Sequence, residues 1–526
     1  MLDYTLLTLF CMTDPLNTEF GTIADLIRQH ARRTPGQRAL VEGERSLDYA
    51  ALDGLMDRTA CALQRRGLRA GDAIAICASM SIEYVLVFLG ALRAGVVVAP
   101  LAPGSGATSL QRMVQDAQAK LVFADRQGAQ ALGSPGPDDV ARIALDNTSG
   151  GEALEHWLAD AGQAPAPVAV QADWPFNIIY SSGTTGEPKG IVQSHGMRWT
   201  HVCRGAVYHY DADTVTLLST PLYSNTTLVV FFPTLSFGGT VVLMPKFDAL
   251  GYLELAQTHH ATHTMLVPVQ YQRLMAHPEF DRFDLSSYRV KFSTSAPFGA
   301  ALKADVLKRW PGALVEFYGM TEGGGTCILE AHAHPDKLHT VGRPAEGHDI
   351  RLIDDNEREV GVGEAGEVVG HSGGMMTGYH RQPDKTREAE WFDPQGKRFI
   401  RTGDIGRFDA DGFLTLFDRK KDMLISGGFN VYPSDLEAVL NRHPAVSECA
   451  VVGVASVQWG ETPAAFVVLK PGQSVSADEL LQWTNDQVGK TQRLGSLQFL
   501  DELPRSAIGK ILKRELRDAY PAQKES

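Results

Sequence analysis

The sequence predicts an α/β protein: mostly parallel sheets covered by helices, then a small barrel or hairpin unit, then a small last domain. Three observations predict it. Short apolar, β-like runs alternate with segments of helical period up to about residue 350. After about residue 340 the segments become short, β-rich and separated by Asp/Gly turns. Beyond Lys421 a final stretch mixes strands and helices, and its length of about a hundred residues suits an independent domain. The whole chain, at 526 residues, exceeds what one compact core holds, which also favours at least two domains.

Taken in order, residues 17–66 read as helical, with apolar positions three and four apart in TIADLIRQHARR and LDYAALDGLMDRTACALQRR. DAIAICAS is a β-like run, SIEYVLVFLGALRAG a helix, VVVAPL a second β-like run, and KLVFAD repeats the unit after another helix. Residues 133–170 are rich in Gly, Pro, Ala and Asp and read as surface connection. DIRLIDDNEREV, GEVVGHSGG and GFLTLFDRK make up the later β-rich unit. In the last section ECAVVGVAS and AAFVVLK are strands, and SDLEAVLNRH, SADELLQWTNDQV and KILKRELRDAY are helices. There is no internal repeat and no low-complexity tract.

Composition narrows the class. With 44% hydrophobic and 21% charged residues the chain is an ordinary globular one. A formal net charge of -13 argues against broad contact with nucleic acid or anionic lipid, so an anionic substrate needs a local positive site. The six cysteines (Cys11, Cys61, Cys77, Cys203, Cys327, Cys449) show no CxxC or CxxH spacing, which fits neither a disulfide framework nor zinc and suits a reducing compartment. The opening MLDYTLLTLFCMTD has a short apolar run with no basic stretch before it, so no signal peptide is expected; Met12 is an alternative start to Met1. No stretch approaches the roughly 20 apolar residues of a membrane helix. The expected location is cytoplasmic.

The most informative string is YSSGTTGEPKG, residues 180–190, directly after the apolar NII. Ser181, Ser182, Thr184 and Thr185 interleave with Gly183, Gly186 and Gly190. Glycine lets backbone N–H groups turn toward one centre, the hydroxyls add donors, and Lys189 adds a point charge, which together make an anion nest. The string does not fit GxxxxGK[ST], so it is not a Walker loop. The competing reading is a solvated turn, which would not need so many donors and a lysine beside a buried strand.

With YGMTE (residues 318–322), SAP (295–297), RTGD (401–404), FDRKKD (417–422) and PRSAIGK (504–510) in order behind that loop, the sequence resembles the adenylate-forming superfamily of acyl- and aryl-CoA ligases, luciferases and peptide synthetase adenylation domains. The resemblance covers nearly the whole chain. It implies a large N-terminal domain, residues 1–420, of two helix-covered sheets plus a small β-barrel-like unit, and a mobile α+β C-terminal domain, residues 421–526. It implies ATP, Mg²⁺ and coenzyme A, with Thr184, Thr185, Glu322 and Lys510 catalytic and Glu322 and Thr184 at the metal. Ser181, Ser182, Gly183, Gly186 and Lys189 would meet the phosphates. Ser295, Ala296, Pro297, Tyr318, Gly319, Met320 and Thr321 would meet the nucleotide, Asp404 and Arg419 its ribose. Lys421 would be the hinge. Homodimers are frequent in such families.

The chemistry agrees. A carboxylate is a poor acyl donor; attack on the α-phosphorus of ATP gives a mixed anhydride and pyrophosphate, and a thiol then displaces AMP. Two anions must approach, and Thr184, Thr185, Lys189, magnesium at Glu322 and Lys510 would offset their repulsion. In the family the small domain then rotates, Lys510 leaves, and the face with Ser426, Gly427 and Gly428 comes in, where two residues without side chains admit a narrow pantetheine arm; a simple turn is the other reading. Lys510 also resembles the family's site for protein acetyltransferases, and acetylation would remove its charge.

Family position implies that His195, Tyr223, Ser224, Asn225, Gly323 and Gly324 line the acid, with His195 equally readable as a structural histidine. Ser224 and Asn225 carry no charge, which weakens an amino acid substrate, because a buried ammonium without a carboxylate is costly. The lean is toward a small to medium acid, branched or hydroxylated, with an aromatic acid as alternative. Phe231, Phe232 and Val269 read as an apolar wall or as plain core. One departure concerns the thiol: the family's aromatic-Lys-x-Pro pattern is replaced by KTQRLG, residues 490–495, leaving Arg493 and Trp459 as candidate CoA contacts, Trp459 being equally readable as structural. An enzyme loading a carrier protein is therefore the runner-up, and a nucleotide-binding protein without turnover is the reading from another class.

Overall fold

The computed structural model describes residues 18–134, 140–146, 151–181, 188–419, 422–426, 429–456, 459–489, 492–505 and 511–520. DAIAICAS and VVVAPL become adjacent parallel strands, Ala73–Cys77 and Val97–Leu101, with every residue buried. Uninterrupted apolar runs fit strands covered on both faces. The helix between them, Ile82–Arg93, starts where the Ser81 hydroxyl accepts the Tyr84 N–H at 3.1 Å.

These strands lie inside an eight-stranded sheet ordered Gly378–Tyr379, Lys189–Ser194, Pro175–Ser181, Val97–Leu101, Ala73–Cys77, Ala119–Ala124, Arg142–Ala144, Glu152–Ala153. Only the two pairings made by Lys189–Ser194 are antiparallel among the described residues. A nine-stranded sheet runs Arg343–Pro344, Thr326–Glu330, Ala313–Gly319, Val290–Ser293, His263–Leu266, Val215–Leu218, Thr240–Leu243, Arg38–Glu42, Arg45–Asp48. It is parallel through its centre and antiparallel at both ends. Phe88 of Ile82–Arg93, Phe176 of the first sheet and Phe232 of helix Asn225–Ser236 meet with ring centroids 5.2–6.1 Å apart, so one core joins the sheets through their shared helices. Phe231 and Phe232 are both part of that core.

Two segments differ from the sequence expectation. Between helices Ile23–Arg33 and Tyr49–Arg65, where only helix was expected, Arg38–Glu42 and Arg45–Asp48 form a hairpin at the edge of the nine-stranded sheet. Gly43 turns it at φ +59°, and Asp48 ends it by accepting the Ala51 N–H at 2.8 Å, which caps the next helix. Strands of four or five residues between two periodic helices are too short to register as a separate period. Residues 133–170 are likewise more than connection. Arg142–Ala144 and Glu152–Ala153 extend the eight-stranded sheet, and Trp157 is fully buried edge-on to Phe123, 5.1 Å between centroids.

The later β-rich unit is an antiparallel sheet in which the long strand Arg398–Phe408 pairs with Gly366–His371, Glu390–Phe392 and Leu414–Arg419. A separate C-terminal domain follows, with its own apolar clusters under strands Val446–Ser456 and Gly460–Leu469 and helices Pro433–Leu440, Ala477–Asn485 and Lys513–Ala519. Among the described residues no helix is long and apolar enough to cross a membrane, and Cys61, Cys77, Cys203, Cys327 and Cys449 form no disulfide.

Candidate active site

Two paired strands flank the glycine-rich string of residues 180–190. Pro175–Ser181 and Lys189–Ser194 pair antiparallel with Ser181 opposite Lys189, so the ends of the glycine-rich string are held side by side. Ser182, Gly183, Thr184, Thr185 and Gly186 lie outside the described residues. Lys189 Nζ stands 4.9 Å from the centre of the Tyr379 ring, and the Tyr379 hydroxyl donates to Glu322 Oε1 at 2.8 Å. The Glu322 carbonyl accepts from the Met376 N–H at 2.7 Å, which fixes the backbone beneath the carboxylate. No group of three or more His, Cys, Asp or Glu that could hold a metal occurs among the described residues. Glu322 alone would hold magnesium only weakly, so a bound Mg²⁺ would need further oxygen ligands such as phosphate and water.

YGMTE ends a strand and turns over the cavity mouth. Tyr318 and Gly319 close Ala313–Gly319, and the Tyr318 hydroxyl donates to Asp404 Oδ2 at 2.8 Å. Burial first, and then the Asp404 carboxylate, hold the Tyr318 phenol well above its ordinary range, so it stays a donor. Asp404 sits opposite Arg419 in the pairing of Arg398–Phe408 with Leu414–Arg419, and the Thr402 hydroxyl accepts the Asp404 N–H at 3.0 Å. The loop carrying Ser295, Ala296 and Pro297 follows strand Val290–Ser293. Ser295 takes φ +78°, a conformation rare outside glycine, and its hydroxyl lies 2.6 Å from that of Thr226.

Below these groups is a cavity of ≈ 190 Å³. Ser224, Asn225 and Thr226, Ser295, and Gly319, Met320 and Thr321 form its upper wall. Ser224 caps helix Asn225–Ser236, whose N-terminal residues Asn225 and Thr226 line the cavity with it. Val229, Val230, Pro233, Phe292, Phe317 and Ile328 supply apolar wall. Gly323 also lines the cavity, whereas Gly324 packs elsewhere: a Cβ there would stand 2.6 Å from Ile400 Cβ. Gly323 (φ +74°) and Gly325 (φ +96°) give their N–H groups to Met320 O and Gly323 O, so the triple glycine is explained by tight packing against the antiparallel sheet. His195 is buried edge-on to Phe176 with centroids 4.9 Å apart, burial lowers its pKa to about 4, and neither it nor Tyr223 is among the lining residues.

The sequence reading named Ser224, Asn225, Ser295 and Thr321 among this lining but missed four further polar residues. His201, Arg204, Tyr208 and His348 all line it. Arg198, one turn before His201 and buried, donates to Gln193 Oε1, and Gln193 Nε2 donates to the Thr321 carbonyl at 2.8 Å. That relay braces YGMTE from behind. MRWTHVCRG reads as an ordinary amphipathic helix, so only the fold could show that its polar residues face inward.

Comparison with known proteins decides the family. The pattern of the AMP-binding enzyme family matches residues 27–380, and that of the AMP-binding enzyme C-terminal domain matches residues 435–510. The chain belongs to the AMP-binding enzyme family. It is 33% identical over 500 residues to a feruloyl-CoA synthase of Amycolatopsis sp, covering 94% of this chain and 98% of that one. An indoleacetate–CoA ligase of Aromatoleum aromaticum is 32% identical over 515 residues, 94% and 97% covered. The ATP-bound crystal structure of MatB from Rhodopseudomonas palustris superposes with a TM-score of 0.83 at 30% identity, covering 94% and 99%. The expected family and two-domain architecture are borne out, and the expected class, an AMP-forming acid–CoA ligase, is the class of both relatives.

In this AMP-binding enzyme the C-terminal domain presents the remaining candidates. Ser426 is paired with both Phe429 and Gly460, which sets Trp459, 50% exposed, next to the Ser426 hairpin. Arg493 is exposed on a different segment, just before strand Ser496–Phe499. Lys421, Gly427, Gly428 and Lys510 lie outside the described residues. Arg505 and Ile511 form an antiparallel bridge, and the Leu512 N–H donates to Pro504 O at 2.8 Å, so both ends of the PRSAIGK segment are fixed together.

Proposed function

We propose that this enzyme activates a carboxylic acid as its acyl-adenylate and passes the acyl group to coenzyme A, releasing pyrophosphate and AMP. One observation carries the reading: five consecutive residues serve three sites. Tyr318 reaches Asp404, Gly319, Met320 and Thr321 wall the cavity, and Glu322 meets Tyr379 beside Lys189. An acid in the cavity, a ribose at Asp404 and phosphates at Lys189 would then converge on one point, which is the arrangement adenylation requires.

On this reading Asp404 and Arg419 hold the ribose, Thr184, Thr185 and Lys189 hold phosphate oxygens, and Glu322 holds magnesium, which neutralises phosphate charge when bound. Lys510 stabilises the negative charge developing between carboxylate and α-phosphate. The boundary at residues 420/421 makes Lys421 the hinge about which the C-terminal domain exchanges Lys510 for the face with Ser426, Gly427, Gly428 and Trp459. A carrier-protein thiol as acceptor is the second reading, favoured by the missing aromatic and proline in residues 490–495.

Pyrophosphate release by purified protein, with ATP, Mg²⁺ and CoA over aliphatic, hydroxy, branched and aromatic acids, tests the reading. Acid-dependent release with acyl-CoA formation, lost in Lys510→Ala, is expected. Acid-dependent AMP without acyl-CoA transfers the assignment to a carrier protein. Silence across the panel overturns adenylation.

A further inference from the structure

The cavity holds an unanswered donor. His348 Nδ1 faces the Thr326 N–H at 2.8 Å, and His348 Nε2 faces Arg204 Nη2. Both neighbours are obligate donors: a backbone amide and a guanidinium. A neutral imidazole has one acceptor nitrogen and one N–H, so it can satisfy only one of them. Protonating the ring makes matters worse. Burial, with Arg204 next in weight, pushes the His348 pKa to about 4, so the ring stays neutral. Whichever tautomer it takes, one donor meets a donor.

The charge around this spot is also one-sided. No Asp or Glu lines the cavity among the described residues. The Arg204 guanidinium is mostly buried, its contact with His348 is its one hydrogen-bond partner among the described residues, and burial lowers its pKa. His201 Nδ1 and the Tyr210 hydroxyl are buried without a hydrogen-bond partner and belong to residues of the same wall. A buried cation without an anion is costly, and buried donors without acceptors are costly too. One occupant answers both: an anionic oxygen between Arg204 and His348.

The spot lies close to where the reacting acid must sit. Thr326, which holds His348, is the cross-strand partner of Gly319 in YGMTE. The two ends of one small molecule can therefore reach the adenylation point and the Arg204–His348 pair together.

We propose that the acid this enzyme activates is a dicarboxylic acid, whose second carboxylate bridges Arg204 and His348 while the first reacts with ATP. The inference rests on the cavity being the acid site, as given above. Neutral hydrogen-bonding groups, such as a ring hydroxyl, would relieve the donor conflict but leave Arg204 uncompensated.

The test is acid-dependent ATP–pyrophosphate exchange with wild-type protein on matched sets: straight-chain monoacids, the dicarboxylic acids of the same chain length, the corresponding ω-hydroxy acids, and hydroxyaryl acids. Dicarboxylic acids are expected to exceed their monoacid partners in kcat/KM by about 100-fold, the upper part of what one hydrogen bond to a charged group contributes. In Arg204→Met the ratio of diacid to monoacid kcat/KM should collapse by a similar factor, and Arg204→Lys should restore part of it. Preference for a monoacid, ω-hydroxy acid or hydroxyaryl acid in the wild type overturns the dicarboxylate assignment while leaving adenylation standing. An unchanged ratio in Arg204→Met overturns the role of Arg204. No exchange with any acid would instead strike the proposed function itself.

Discussion

The proposed nucleotide side and the cavity proposed for the acid are built from chain in opposite ways. On the proposed nucleotide side, contiguous strings carry the candidate groups: residues 318–322 run on from the end of strand Ala313–Gly319, and residues 401–404 lie within strand Arg398–Phe408. The cavity below draws its wall from single residues of many elements, among them His201 and Arg204, Val229 and Pro233, Phe292, Ile328 and His348. ATP is the same molecule for every acid, so on the proposed function its recognition can be written into short contiguous strings. The acid differs, and a wall of scattered side chains can change one residue at a time without disturbing the fold.

The sharpest way to test this contrast is to remove one charge from each region. At the nucleotide side, Lys510→Ala should lower acid-dependent ATP–pyrophosphate exchange by about 10²–10³-fold or more, the usual loss when one group stabilising transition-state charge is deleted. Transfer from preformed acyl-adenylate to CoA should fall far less if, as proposed, that half-reaction uses the other face of the C-terminal domain. Equal losses in both half-reactions would refute domain alternation. Acetylation of Lys510 should copy the first effect and spare the second.

Asp404→Asn comes next in size. It keeps the shape, but removes the charge that meets the Tyr318 hydroxyl at 2.8 Å. A charged hydrogen bond contributes about 1.5–3 kcal/mol, so KM for ATP should rise roughly 10- to 100-fold with the acid preference unchanged. A changed acid preference would show that nucleotide edge and cavity are not separable.

That separability governs what the sequence discloses. The alternation of IAIC, VVVAP and LVF with amphipathic helices is enough for helix-covered parallel sheets, because strands buried on both faces leave uninterrupted apolar runs. The hairpin at Arg38–Glu42 escaped because its strands are shorter than the helical periods around them. Tyr318, Glu322 and Asp404 could be read as site residues because they sit in strings. Arg204 and His348 could not: an arginine near the end of one helix and a histidine in a turn 144 positions later look like surface charges until the fold places Nη2 against Nε2. The triple glycine behaved in a third way. It was readable as special, but its reason, close approach to Gly374 O and Ile400, belongs to tertiary packing.

Gly323→Ala probes that packing. Its backbone lies at φ +74°, and an added Cβ would stand 2.0 Å from the Gly374 carbonyl oxygen, which is fixed backbone. Overpacking of this kind costs about 1–3 kcal/mol, to which the left-handed conformation adds about 1–2 kcal/mol. Urea unfolding should show the loss, and acid-dependent exchange should fall with it because Glu322 is the adjacent residue. A variant of unchanged stability would mean that the sheet behind Gly323 yields.

The smallest expected effect is on the pH dependence of stability, and it comes from the buried histidines. His263 is fully buried, with its Nε2 against the Tyr208 carbonyl and its Nδ1 against the Thr262 hydroxyl, each at 2.8 Å, and burial lowers its pKa to about 4. Between about 4 and the ordinary value of about 6.5 the unfolded chain binds a proton that the folded chain does not, so stability rises with pH across that window. Each such histidine contributes at most about 1.4 kcal/mol per pH unit, and His195 and His348, also near 4, add in the same direction. Unfolding of wild type by urea at several pH values in that window should therefore show stability lost on acidification. His263→Gln lowers stability at neutral pH, since glutamine restores the Tyr208 contact only in part, yet flattens the slope by one histidine's share. If the slope stays as steep in the variant, His263 is charged in the folded state, and the burial argument applied to His348 beside Arg204 loses its nearest control.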